Sequence, residues 1–371
     1  MSSPATSASL EAALGQVVLP DVGRSLHDMG ALSSVSVEGR RGRATVVMPM
    51  RAASAQAPLR ADLEQAANSI GVDSLELAFE TKITSRDILP DDVCPGVANV
   101  ILVMSGKGGV GKSTVAANLA LALKKQGATV GLLDADMYGP SIPTMFGVMG
   151  RPTSRDGQKF LPLERFGVKL MSIGFLLEND RQAVVWRGPM LQGALLQFLK
   201  DVDWGELDYL VLDLPPGTGD VALTLSQKVR STGAVVVTTP QEVALQDVYK
   251  SVAMAQKVGI EILGVVENES VFVCDGCGKR HPLFGEGGGA RVAEMAQAPL
   301  LARLPIDPAV REWGDSGTPV VHAAPSSPVA QELLALAARV EAKAARQNLS
   351  RGASLSIDRS GGQNRRLPIM R

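Results

Sequence analysis

Cysteine is scarce, with three in 371 residues. That excludes a disulfide scaffold and fits a reducing compartment. Aromatic residues make up only 4%, which argues against a base-stacking surface for single-stranded nucleic acid. Neither sign of charge dominates. Lys and Arg number 37 against 38 Asp and Glu, a formal net charge of −1. The chain therefore has no bulk electrostatic pull toward nucleic acid or an acidic membrane. No apolar run approaches the ~18 residues of a membrane span. The opening residues, MSSPATSASLEAALGQ, carry no basic segment followed by an apolar stretch, so a secretory leader is not expected. A cytoplasmic protein that binds neither nucleic acid nor membrane is the expectation.

Hydrophobic residues at 45% and charged residues at 20% are the proportions of a soluble globular chain. The length suggests two domains. Residues 1–84 read as a small α+β domain: helix, two strands around the turn signal EGRRG, helix, strand. Residues 85–98 hold two prolines, a glycine and three aspartates and read as a linker. From 99 to 345 the rhythm changes. Continuous apolar runs VILVMS, TVGLLD, YLVLDL, AVVVTT and ILGVVE alternate with helical segments. This pattern predicts an α/β domain with a doubly wound, mostly parallel sheet covered on both faces. Residues 346–371 hold six arginines and one aspartate among Ser, Gly and Asn. They read as a disordered basic tail.

Gly106-Lys107-Gly108-Gly109-Val110-Gly111-Lys112-Ser113-Thr114 follows one of the apolar runs and opens a helical segment. This is G-x-x-x-x-G-K-[ST] in its proper strand-to-helix setting, a phosphate loop. Glycines let the backbone wrap around phosphate and turn its N–H groups inward. The helix N-terminus adds positive potential. Lys112 is expected to meet the β- and γ-phosphates of ATP, and Ser113 to ligate Mg²⁺. The run Tyr209-Leu210-Val211-Leu212 ends in Asp213, a carboxylate placed to hold Mg²⁺. The loop Pro215 to Asp220 follows it. TVGLLD likewise ends in Asp134-Ala135-Asp136, and carboxylates at the C-terminal ends of parallel strands face the ligand crevice.

Cys274 and Cys277 form a C-x-x-C pair ahead of a glycine-rich stretch. Two thiols at this spacing can bind one soft metal from the same side, but supply half of a four-thiolate site, completed either by His281 and another ligand or by the pair of a second subunit. Zinc, an iron–sulfur cluster, redox chemistry and no activity at all are open on spacing alone. A thioredoxin-type role is disfavoured, because the pair does not start a helix after a first strand. Cys94, in the linker, reads as incidental. His27 and His322 lack ligand-like neighbours and read as structural or exposed.

The second lysine of the loop, Lys107, makes K-G-G-V-G-K-S resemble the deviant Walker A loop of the MinD/ParA class. GKGGVGKST, DADMYGPSIP, DLPPGTGD, the cysteine pair and FGEGGGARVA, in this order, resemble the Mrp/ApbC family of iron–sulfur P-loop ATPases over about residues 95–325. The resemblance implies an ATP-dependent homodimer in which Lys107 reaches the partner's nucleotide. It implies that Asp136 positions the attacking water near Mg²⁺, that Asn268 reads adenine, and that hydrolysis is slow. It also implies that Cys274 and Cys277 of two copies hold one [4Fe–4S] cluster for transfer to apo iron–sulfur proteins. The first 84 residues resemble, more weakly, the iron–sulfur-assembly domain often fused ahead of this ATPase. That domain has no cysteine here, which leaves it a docking role. Where the family commonly has Met, this chain has Glu269. Two rivals share the nucleotide site: a positioning ATPase of the MinD/ParA type, and a zinc-stapled regulatory ATPase. The first leaves the cysteine pair without a role. Metal content separates the second.

Overall fold

A computed structural model describes residues 5–51, 53–137, 139–154, 157, 159–176, 188–217, 219–274 and 276–355. The chain divides into two compact units, residues 1–87 with 341–371, and residues 88–340.

In the first unit, α1 (Ser7–Gly15) starts at Thr6, whose hydroxyl accepts from the Ser9 N–H while the Ser9 side chain caps in return. Strands β1 (Leu32–Glu38) and β2 (Arg41–Met48) pair antiparallel around Gly39, which sits at φ +64°. Helix α2 (Gln56–Ser69) then carries the chain back, so that β3 (Ser74–Thr81) pairs parallel with β2. Leu10, Leu14, Leu59 and Leu63 are fully buried and form the apolar side of this small α+β unit.

The second unit is built on an eight-stranded sheet. Its elements are β4 (Val97–Ser105), α3 (Lys112–Lys125), β5 (Val130–Asp134), β6 (Leu163–Arg165), β7 (Val168–Ser172), α4 (Gly188–Asp201), β8 (Leu207–Asp213), α5 (Gly219–Lys228), β9 (Gly233–Thr238), α6 (Glu242–Lys257) and β10 (Ile262–Glu267). A two-stranded hairpin follows, β11 (Phe272–Val273) with β12 (Arg280–His281), then α7 (Gly288–Met295) and β13 (Leu300–Arg303). The strand order is β6-β7-β5-β8-β4-β9-β10-β13. All pairs are parallel except the β6–β7 hairpin at one edge. Strands β9 and β10 are buried at every position, because helices cover both faces. From β4 the chain places β5, β6 and β7 on one side, returns to insert β8 between β5 and β4, and then crosses to β9 on the other side. Such a switch opens a crevice at the strands' C-terminal ends.

Helix α8 (Pro308–Asp315) precedes the long helix α9 (Pro328–Ser350). Helix α9 corrects one expectation. Residues 346–350 are helical, and Leu355 is fully buried with its N–H on the Met29 carbonyl at 3.1 Å. Asn348 Nδ2 donates to the Thr84 carbonyl at 3.0 Å. A partner from the first unit thus orders a segment whose composition alone reads as loose. Residues 356–371 lie outside the described residues. In the expected linker, Cys94 is buried in the core of the second unit.

Gly264 in β10 gives a stability test. A Cβ there would lie 2.4 Å from Leu301 Cγ and 2.7 Å from the Pro299 carbonyl oxygen. Gly264→Ala is expected to cost about 1–3 kcal/mol through overpacking, read as a lower urea midpoint at unchanged m-value.

Candidate functional site

Strand β4 ends at Ser105, and α3 begins at Lys112. The connecting loop turns inward at Gly109 and Gly111, both at φ +78°, where an L side chain is strained. Two of its glycines are also fixed by close approach. A Cβ on Gly106 would stand 2.2 Å from the Val248 backbone nitrogen of α6. One on Gly111 would stand 2.2 Å from Asn268 Nδ2. The loop surrounds a cavity of about 250 Å³ lined by Lys107, Gly108, Gly109, Gly111, Lys112, Ser113 and Thr114, with Asp136, Gly139 and Pro216 opposite.

Lys112 is buried beneath this cavity. Its Nζ donates to Asp213 Oδ1 at 2.5 Å and lies 3.3 Å from Ser113 Oγ and 3.7 Å from Asp136 Oδ2. Asp213 is fully buried at the end of β8. Burial pushes its carboxyl upward, and Lys112 pulls it back. Its Oδ2 is buried with no hydrogen-bond partner among the described residues. A carboxylate oxygen so placed, beside a serine hydroxyl, is a donor set suited to a hard divalent cation.

Asp134 does something the sequence reading passed over. It ends β5, in register with Asp213 on β8, and is fully buried. Its Oδ1 accepts from the Asp136 N–H at 3.2 Å. Its Oδ2 accepts from the N–H groups of Ser141 and Ile142 at 3.1 and 3.2 Å and from the Ser172 hydroxyl at 3.0 Å. Asp134 therefore gathers the N–H groups of Asp136, Ser141 and Ile142 on one carboxylate, and Asp136 stands at the cavity. Burial, and then the Asp213 carboxylate, push its pKa up to about 7, against the Ile142 N–H, the Ser172 hydroxyl and Lys112.

Asn268 stands behind the loop and does not line the cavity. Its Nδ2 donates to the Val110 carbonyl at 3.0 Å, and its N–H donates to the Thr238 carbonyl at 2.8 Å. Glu269 beside it holds φ +55°, and burial pushes its carboxyl upward. Glu267 also escaped the sequence reading. It is buried and accepts the Gly289 N–H at 2.6 Å, which fixes the start of α7. The spacing of residues 267 and 289 gives no local signal of that pairing.

The cysteine pair lies at the tip of the β11–β12 hairpin and not at the cavity. Cys274 is half-buried and Cys277 exposed. The hairpin rests on the 304–306 segment. The Ser270 N–H and hydroxyl both donate to the Leu304 carbonyl at 2.9 Å, and Phe272 bridges Ile306. Among the described residues no three His, Cys, Asp or Glu gather as a metal site. His281 is the cross-strand partner of Phe272. Of the other histidines, His322 stacks on Phe166 at 3.9 Å, and burial, with Lys125 and Arg165, lowers its pKa.

Residues 96–341 match the family model described as NUBPL iron-transfer P-loop NTPase. The chain belongs to this family. Residues 7–74 match the family model described as iron-sulfur cluster assembly protein. A protein of Aquifex aeolicus named iron-sulfur cluster carrier protein is 53% identical over 244 residues, 66% of this chain and 67% of the relative. A protein of the same name from Synechocystis is 43% identical over 331 residues, 87% of this chain and 94% of the relative. A solved nucleotide-binding protein in complex with ADP from Archaeoglobus fulgidus is 44% identical, with a TM-score of 0.53, covering 60% of this chain and 87% of that one. The family's P-loop fold is the one described above, with a small N-terminal unit ahead of it. No described helix is long and apolar enough to cross a membrane.

Asp134 carries a pH prediction. The folded chain holds its proton more tightly than the unfolded chain, so its contribution to stability is full below about pH 4 and is lost as pH rises through about 7. Asp134→Asn is expected to flatten that decline, by no more than about 1.4 kcal/mol per pH unit. Urea midpoints of both proteins between pH 5 and 8 measure the difference.

Proposed function

We propose that this chain is an ATP-binding and ATP-hydrolysing iron–sulfur cluster carrier that works as a homodimer in the cytoplasm. The observation that carries the reading is the presence, in one unit, of a phosphate loop with a buried Lys–Asp pair and a surface hairpin bearing two thiols. The names of the relatives support it.

On this reading the inward N–H groups of residues 108–113 cradle the phosphates, and Lys112 moves from Asp213 to the β- and γ-phosphates. Ser113 and Asp213 hold Mg²⁺, which supplies charge neutralisation on the phosphate oxygens. Asp136, whose N–H is held by Asp134, orients the attacking water. Lys107 lines the cavity and reaches the nucleotide of the second copy, where it stabilises developing charge. Asn268 faces the base while bracing the loop at Val110. Hydrolysis is slow, since no arginine stands among the described residues that line the cavity.

The cluster is cargo. Each copy offers Cys274 and Cys277, so two copies complete the four thiolates of one [4Fe–4S] unit. Acceptors are apo iron–sulfur proteins, and assembly scaffolds supply the cluster. The N-terminal unit docks these partners, since it has no cysteine to hold a cluster itself. Nucleotide drives transfer only by binding the loading and releasing states with different affinity.

Anaerobic reconstitution with iron and sulfide tests the reading. The expected result is a broad absorbance near ~400 nm and about four irons per dimer, both lost in the Cys274→Ser/Cys277→Ser variant. Tight zinc in place of iron, or no metal with both thiols intact, overturns it in favour of a regulatory ATPase. A second prediction separates the two lysines. Lys112→Ala is expected to abolish nucleotide binding. Lys107→Ala is expected to keep binding and lower kcat about 10²–10³-fold, the size of a lost transition-state donor. Equilibrium binding of a fluorescent ATP analogue alongside phosphate release distinguishes them.

A further inference from the structure

The two thiols differ in how the backbone holds them. The Cys274 N–H donates to the Lys279 carbonyl at 3.0 Å, and its carbonyl accepts from the Gly278 N–H at 2.8 Å. Gly278 closes that turn at φ +69°, a conformation that L side chains rarely adopt. Upstream, the strap from Ser270 to Val273 is tied to residues 304–306. Besides the Ser270 bonds, the Ile306 N–H donates to the Val271 carbonyl at 2.8 Å. Cys274 is thus the end of a braced segment. Cys277 is exposed and makes no hydrogen bond or ion pair with any described residue.

We propose, on the carrier reading above, that the thiols act in order. Cys274 is the retained ligand, and Cys277 is the ligand exchanged first when a cluster leaves. The N–H and carbonyl of Cys277 make no hydrogen bond with a described residue, whereas both of the corresponding groups of Cys274 do. Detaching Cys274 disturbs two backbone hydrogen bonds of the hairpin. In the exchange an acceptor thiol loses its proton and its sulfur bonds the iron held by Cys277. The Fe–Sγ bond of Cys277 breaks with its electron pair staying on sulfur. The proton passes through solvent to the freed thiolate. Iron and sulfide keep their oxidation states, and the number of thiolates on the cluster is unchanged. The second step, at Cys274, completes release from that copy. The less tethered residue is therefore where an acceptor takes over, and the braced one keeps the cluster from being lost during the encounter.

The test uses the loaded full-length dimer, with dithiothreitol as the acceptor, under argon. Samples are quenched at intervals with excess iodoacetamide and digested, and the peptides are quantified by mass spectrometry. Label on Cys277 is expected to lead label on Cys274 several-fold at early times. Gly278→Ala strains the turn that anchors Cys274 and is expected to shrink the lead. Gly278→Asn tolerates the left-handed region and is expected to restore it. Simultaneous labelling, or Cys274 labelled first, in the wild-type dimer overturns the order while leaving the carrier reading intact. A protein that takes up no cluster overturns the carrier reading, and the order with it.

Discussion

Two carboxylates end neighbouring strands in register, Asp134 on β5 and Asp213 on β8, and both are removed from water. Left alone they would repel each other and leave costly buried charge. Lys112, the first residue of α3, is the cation that makes the pair tolerable. Its ammonium ties the helix start to the sheet, and with it the whole phosphate loop. The second carboxylate is offset differently, by three backbone N–H groups and a hydroxyl. One buried charge cluster therefore shapes both walls of the cavity. The loop wall hangs from Asp213 through Lys112, and the opposite wall hangs from Asp134.

This division explains what was legible in the sequence. The phosphate loop was readable because its glycines and lysine must fall at fixed spacing between a strand and a helix. Asp213 was readable because an apolar strand that ends in a carboxylate marks the crevice. The alternation of apolar runs and helices gave the parallel sheet, and the turn around Gly39 gave the first hairpin. Asp134 was seen, but its work was not, since Ser141, Ile142 and Ser172 meet it only in the fold. Glu267 was invisible for the same reason: its partner, Gly289, lies beyond the two strands of the hairpin. Arg346 to Leu355 misled, because composition registers charge and small residues but not the Thr84 and Met29 carbonyls waiting for them.

The nucleotide loop and the thiol hairpin are separate places joined by a short piece of chain. Asn268 touches the loop at Val110, and six residues later stands Cys274. Between them, Ser270 and Val271 are fastened to the 304–306 segment. Few side chains in this stretch are free to relax independently. The close approach of Asn268 leaves no room for a side chain at position 111.

The first unit draws its parts from both ends of the chain, residues 1–87 and 341–371. On the ribosome, residues 1–87 emerge first but lack Asn348 and Leu355, which fill places beside Thr84 and Met29. The whole sheet of the second unit is synthesised in the interval. Domains generally fold in order of emergence, yet of these two units the one begun first is completed last. A ribosome that stalls before residue 340 leaves an ATPase fold with an unfinished neighbour, so quality control that samples exposed apolar surface would read the two units on different clocks.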